Sequence, residues 1–188
     1  PDYNIGPGRE VLGIAQTEDA PVACMMFWGL KTPQNFHVNA RIETADTAPR
    51  FRENWASHRC LVPANGFYEW SADGVTKQPH SLYPTDREIA NLAGLWYPAP
   101  QPDLPDTCIL LTTEAAPAIR SLHHRMPVLL PEDRHEAWLA ARLPKAEAIQ
   151  AANQVPFANH RVSQRVNSVR NNDSKLIQET SPRNDDQM

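Results

Sequence analysis

Arg59-Cys60-Leu61-Val62-Pro63-Ala64-Asn65-Gly66-Phe67-Tyr68-Glu69-Trp70 is the stretch on which the fold turns. Two apolar pieces of strand length, Cys60 to Pro63 and Phe67 to Trp70, flank Ala64-Asn65-Gly66, a pattern that predicts a hairpin with glycine where positive φ is needed. Alternate side chains of a strand share a face, so Phe67 and Glu69 point one way while Tyr68 and Trp70 point the other. A carboxylate flanked by aromatics is partly desolvated, which raises its pKa and suits it to general acid or base work. The alternative is that Glu69 lies on the solvated face of an edge strand.

Outward from this stretch, Val22 to Leu30 (VACMMFWGL) is a continuous apolar run that predicts a buried strand. Further strands are expected at Ile89 to Tyr97, Thr107 to Thr113, Met126 to Leu130 and Arg161 to Asn167. Thr47 to His58 predicts a helix, with Thr47 as N-cap, Pro49 in the first turn and Phe51 and Trp55 at i, i+4 spacing. Glu132 to Ala141 and Lys145 to Asn153 predict short amphipathic helices behind Pro131 and Pro144. Asp73-Gly74 offers a second turn. Strands mostly follow one another through turns, which favours an α+β fold with a mainly antiparallel sheet over a doubly wound one. Eighteen prolines against seven glycines in 188 residues also disfavour long helices. One domain over residues 1–180 and a polar, flexible tail over 181–188 are expected.

Composition removes several classes. At 41% hydrophobic and 21% charged the chain reads as an ordinary globular protein. No apolar run approaches the roughly 20 residues that span a bilayer, and Pro1 to Glu10 lacks a secretory pattern, so a cytoplasmic protein without membrane contact is expected. Cys24, Cys60 and Cys108 have neither disulfide-framework nor zinc spacing, and no glycine-rich phosphate loop is present, so neither metal nor cofactor is expected. A net charge of −4 argues against holding DNA through bulk charge. Basic groups are nonetheless segregated, at Arg120, His123, His124 and Arg125 and again at His160, Arg161, Arg165 and Arg170, whereas residues 61–110 hold two basic side chains against six acids.

Two more segments carry polar chemistry. Ser121-Leu122-His123-His124-Arg125-Met126-Pro127 leads a basic turn into an apolar strand, where adjacent histidines would face opposite sides and at most one would line a pocket; either could equally be structural or merely exposed. In Asn39-Ala40-Arg41-Ile42-Glu43-Thr44, an extended backbone puts Asn39, Arg41 and Glu43 on one face, as a ligand-binding set or as an internal ion-pair ladder.

Taken in order, NIGP (Asn4 to Pro7), FWGL (Phe27 to Leu30), NARIET (Asn39 to Thr44), RCLVPANGFYEW (Arg59 to Trp70), LTTEA (Leu111 to Ala115), HHRMPVLL (His123 to Leu130) and VSQRVNSVRNN (Val162 to Asn172) resemble the SRAP family, the SOS response-associated peptidase-like proteins. The resemblance spans nearly the whole chain. It implies a single compact α+β domain around a barrel-like β core flanked by short helices, a cleft for single-stranded DNA, and covalent capture of abasic sites by a monomer. In the family an N-terminal cysteine condenses with the ring-opened abasic aldehyde, its amine forming an imine and its thiol closing a thiazolidine. By motif position Glu69 would be the acid/base, His123 the second proton-transfer group and Asn39 the residue orienting the reacting terminus. Arg41, Arg125 and Arg161 would hold phosphates, and Pro7, Trp28, Trp70 and Thr112 would line the DNA path.

The family's Met-Cys-Gly-Arg start does not occur ahead of the NIGP motif, and Cys24, Cys60 and Cys108 read as small core hydrophobes, so the nucleophile is expected upstream of Pro1. DNA–protein crosslinking with lyase-like activity is the implied chemistry. A non-covalent module for single-stranded or damaged DNA and a cysteine-type (auto)peptidase are the alternatives.

Overall fold

Alternation along the strands separates the hydrophobic residues into an inner and an outer core. The computed structural model describes residues 1–71 and 77–181; the turn at Asp73-Gly74 and the tail beyond Ser181 lie outside the described residues. In chain order the strands are β1 (Glu10–Gln16), β2 (Pro21–Trp28), β3 (Leu30–Lys31), β4 (Phe36–His37), β5 (Asn39–Arg41), β6 (Arg59–Ala64), β7 (Phe67–Ser71), β8 (Gln78–Pro84), β9 (Ala90–Tyr97), β10 (Thr107–Glu114), β11 (Arg125–Pro127), β12 (Leu129–Leu130) and β13 (Phe157–Arg161). The helices are α1 (Ile42–Ala45), α2 (Arg52–Ser57), α3 (Pro117–Arg120), α4 (His135–Leu139) and α5 (Lys145–Gln154). None is long and apolar enough to cross a membrane among the described residues.

Pairing runs β10-β2-β1-β6-β9 and returns from β9 to β10, closing a five-stranded ring. The ring is antiparallel except where β2 meets β10 in parallel, with Cys108 opposite Trp28. β5 and β11 extend it from β10, and β12 from β9. The barrel-like, mainly antiparallel α+β architecture expected from the sequence is therefore present. Inside the ring lie Val11, Ala15, Met26, Cys60, Val62, Leu92, Cys108 and Leu110. So narrow an interior demands small residues: a Cβ on Gly13 would sit 2.5 Å from Met26 Sδ, and one on Gly94 would sit 2.8 Å from the Ile109 carbonyl oxygen. Outside, Leu61, Ala93, Leu95, Ile109 and Leu111 pack against Ile42, Trp138, Ala148 and Ala152 of the helices. Trp138 Nε1 donates to the Cys60 carbonyl at 2.9 Å. Arg59 is only 4% exposed, its guanidinium lying between the Trp55 and Trp138 rings at 4.1 and 4.6 Å and donating to the Trp55 and Leu143 carbonyls. Burial lowers its pKa to about 10.

A second sheet runs β13-β8-β7, with β7 at its open edge. Here the structure corrects the hairpin reading of residues 59–70. Both strands form, but β6 pairs with β1 and β9, while among the described residues β7 pairs only with β8. Ala64-Asn65-Gly66 passes the chain from one sheet to the other. Gly66 is required by close approach and not by positive φ, because a Cβ there would lie 2.3 Å from the Leu82 carbonyl oxygen.

Other elements differ from expectation for local reasons. The apolar run Val22 to Leu30 breaks at Gly29, where φ is +136°, and Met25 remains 51% exposed because a barrel strand buries alternate residues. The helix expected over Thr47 to His58 covers only Arg52–Ser57; Thr47 Oγ1 donates to the Thr44 carbonyl instead of capping. Met126 to Leu130 divides at Val128, which donates to Leu111 and accepts from Ala93 as the chain crosses from β10 to β9. The strand expected at Arg161 to Asn167 ends at Arg161, and Gln164–Asn167 is a 3-10 turn whose entrance is closed by Ser163 Oγ accepting from the Arg165 amide.

Candidate functional site

Glu69 leaves β7 at the open edge of the small sheet, opposite His80 of β8. An edge position was the solvated alternative for this residue, yet its side chain is only 19% exposed. It faces His123, whose Nδ1 lies 3.6 Å from Glu69 Oε1. Burial raises the Glu69 pKa; the His123 charge and a hydrogen bond from the Trp70 backbone oppose it without cancelling it. The carboxyl therefore holds its proton to higher pH than an ordinary glutamate.

His123 reaches this place from the turn after α3, before β11 begins. The two adjacent histidines do not face opposite sides, because neither is on a strand; their rings lie 4.5 Å apart. His123 Nδ1 is 2.9 Å from the Arg125 carbonyl and 3.2 Å from the Arg125 amide, so the first turn of β11 fixes the ring. Glu69, Trp70, Lys77, His123, Gln164 and Asn167 line an open cavity of about 590 Å³.

The remaining residues singled out in the sequence are placed less uniformly. Asn39 and Arg41 share an exposed side of β5, in register with Leu110 and Thr112, and neither lines this cavity. Glu43 does not continue their face, because the backbone turns into α1 at Ile42. It meets Arg125 instead, whose guanidinium donates to both carboxylate oxygens at 3.0 and 2.8 Å and to the Thr112 carbonyl at 2.6 Å. Arg125 is 16% exposed and bonded to Glu43 and Thr112, so it braces β11. Burial works against the Glu43 carboxylate, but the bonds from Arg125 and Thr113 outweigh it and its pKa lies below the ordinary value. Thr112 is half-buried and receives Arg125 on Oγ1. Arg161 is exposed and donates to Gln78 Oε1 at 2.9 Å, while Arg165 pairs with Asp173 at 2.6 Å. Pro7 is exposed. Trp28 is half-buried against the barrel interior, with Nε1 donating to the Val38 carbonyl at 3.0 Å.

Lys77, Gln164 and Asn167 were not anticipated as parts of a site. Gln164 and Asn167 belong to the VSQRVNSVRNN motif, and the signal was the motif itself, obscured by a strand reading that gave those amides no common direction. Cys60 and Cys108 are fully buried in the barrel and Cys24 packs against it. Burial pushes Cys108 up to about 12 and Cys60 well above an ordinary thiol, so neither is a nucleophile at neutral pH.

A closed β ring with a carboxyl–imidazole pair assembled outside it, Glu69 from the separate open-edged sheet and His123 from the turn before β11, defines an α+β protein whose candidate site lies beside its barrel and not within it. Residues 1–169 match the family described as SOS response associated peptidase (SRAP), and the chain belongs to that family. The chain is 31% identical over 192 residues to the abasic site processing protein YoqW of Bacillus subtilis (strain 168), covering 95% of this chain and 86% of that protein. It is 30% identical to the abasic site processing protein YedK of Escherichia coli (strain K12), covering 94% and 83%. Among solved structures, a protein from Bacteroides thetaiotaomicron superposes with a TM-score of 0.76 at 23% identity, over 93% of this chain and 82% of that one, a likeness of fold. A phage-related protein from Bordetella bronchiseptica gives a TM-score of 0.71 at 27% identity, over 86% and 82%.

Proposed function

We propose that this protein recognises abasic sites in single-stranded DNA and processes them covalently, with Glu69 and His123 as its proton-transfer pair. The observation that carries the reading is a largely buried carboxyl, its pKa raised by burial, 3.6 Å from an imidazole in an open cavity. Relatives named abasic site processing proteins along almost the whole chain support the choice of substrate.

An abasic deoxyribose is a hemiacetal whose opening requires a proton on the ring oxygen as the C1′–O4′ bond breaks, and removal of the C1′ hydroxyl proton. Glu69 in its acid form supplies the first and His123 accepts the second. An amine then adds to the C1′ aldehyde, water leaves, and an imine forms. A thiol on the same residue adds to the imine carbon, passing its proton to nitrogen, and closes a thiazolidine. Cys24, Cys60 and Cys108 are barrel residues, so the reading assigns the amine and thiol to an N-terminal cysteine outside this sequence. Arg41 and Arg161 are the exposed cations of the DNA path, and the protein acts as a cytoplasmic monomer.

The test incubates an oligonucleotide bearing one abasic site with the chain preceded by Met-Cys-Gly-Arg, followed by a denaturing gel without reductant. A crosslink that requires both the abasic site and the cysteine is expected. Equal crosslinking after Cys→Ser at that position would overturn the covalent chemistry. Cleavage of added peptides without any DNA adduct would point instead to a peptidase.

A further inference from the structure

One wall of the Glu69 cavity is a chain of hydrogen bonds with no role in proton transfer. Trp70 Nε1 donates to Asn167 Oδ1 at 2.7 Å, Asn167 Nδ2 donates to Gln164 Oε1 at 2.6 Å, and Gln164 Nε2 donates to the Lys77 carbonyl at 3.1 Å. The ends of this chain dictate its direction. An indole N–H can only donate and a backbone carbonyl can only accept, so both amides between them have one permitted orientation. Each amide is then left with one N–H and one oxygen lone pair to offer. Asn167 is exposed and Gln164 half-buried, so these groups are within reach of a ligand in the cavity they line.

The backbone beneath them is held as firmly. Asn4, itself buried, donates through Nδ2 to the carbonyls of Val166, Ser168 and Asn171, each at 3.1 Å. Asn171 Nδ2 donates to the Arg165 carbonyl at 2.7 Å. The 3-10 turn therefore presents its two amides at fixed positions beside an aromatic ring whose plane is pinned by its own N–H. An aromatic face with oriented donor and acceptor groups next to it is the chemistry that recognises a nucleobase: the ring stacks and the amides read the edge.

We propose that Trp70, Gln164 and Asn167 form a subsite for the nucleobase adjacent to the abasic position, making this protein selective for lesion context. The inference rests on the abasic-site reading, because Glu69 in the same cavity fixes where the lesion sits and hence which base reaches the amides. Side-chain amides pair best with adenine, whose N6 donates while N7 accepts. Lys77 contributes its carbonyl to the chain and is among the residues lining the same cavity.

The test uses the chain as it stands and four fluorescent single-stranded oligonucleotides, each with one abasic site and differing only in the base on one side of it; a parallel set varies the other side. Binding is read by anisotropy, with an intact oligonucleotide for comparison. On one of the two sides the adenine oligonucleotide is expected to bind about tenfold more tightly than the weakest of the four, the lower end of what one amide–base pair provides. Gln164→Ala brings adenine down to the level of the others. Gln164→Glu, which keeps the shape of the side chain but removes its N–H groups, does the same with the melting temperature checked in parallel. Affinities within twofold of one another on both sides, with abasic DNA still preferred over intact DNA, would overturn the base subsite alone. No preference for abasic over intact DNA would overturn the abasic-site reading and this inference with it.

Discussion

The ring of five strands and the sheet of three are built from similar residues and behave oppositely. In the ring each strand has a partner on both sides, the interior is filled to the point that Gly13 and Gly94 admit no Cβ without movement, and Cys60 and Cys108 are held as apolar filler. The small sheet ends at β7 with an open edge, and there Glu69, Trp70 and their neighbours from distant segments enclose a cavity. Closure leaves each ring strand with a strand on either side. The cavity instead gathers Glu69 and Trp70 from the sheet that does not close, His123 from the turn before β11, and Gln164 and Asn167 from the 3-10 turn.

If that division holds, mutations in the two regions affect different measurements. The largest expected effect is on the ring: Met26→Ala removes a fully buried side chain from the interior and lowers unfolding free energy by about 2–5 kcal/mol. Chemical denaturation checks it, and a loss below 1 kcal/mol would mean the ring is not the packed scaffold. Gly13→Ala should cost less in that background than alone, since Met26 is the side chain its methyl would strike.

Next is the open edge. Glu69→Gln is expected to slow abasic-site crosslinking by about 100-fold, with the fold intact by circular dichroism. A comparable rate would detach the carboxyl from the chemistry.

A smaller effect is expected where the regions meet. Glu43→Ala strands the largely buried Arg125 guanidinium and costs roughly 2 kcal/mol, less than a fully buried pair because Glu43 is 36% exposed. Because the Glu43 pKa is depressed in the folded protein, its contribution is present above the ordinary carboxylate range and is lost as pH falls through the folded value. The difference between wild type and variant should therefore narrow on acidification.

The smallest effect sharpens the contrast by its opposite sign. The Glu69 pKa is raised on folding, so the folded protein binds more protons than the unfolded chain between the two pKa values, and stability falls as pH rises through that interval. Glu69→Gln should remove this fall. Thermal melts would then show the variant gaining on wild type from acid toward neutral pH, and a constant difference would contradict the raised pKa.

The sequence showed which segments are strands better than which strands are neighbours. Residues 59–70 contain two strands and a turn, as their pattern says, but their partners are chosen by β1, β9 and β8, which no local pattern can reveal. β1 itself was unread because its inward residues are Val11, Gly13 and Ala15 while Leu12 faces outward, the reverse of ordinary amphipathic alternation. Within the site, Glu69 and His123 were legible through their motifs and do come together. The pairing of Arg125 was not legible, because its partner Glu43 lies 82 residues away and turns toward it only when α1 begins. Charge without a visible partner reads as available for ligand until the fold supplies the partner.

The amide of Asn4 also bears on the order of folding. It joins carbonyls more than 160 residues further along the chain, a contact that cannot form until residues as far as Val166 have been synthesised. The ring uses strands between Glu10 and Glu114 only. The amide-bearing wall of the cavity therefore depends on joining the two ends of the described chain, whereas every strand of the ring lies between them.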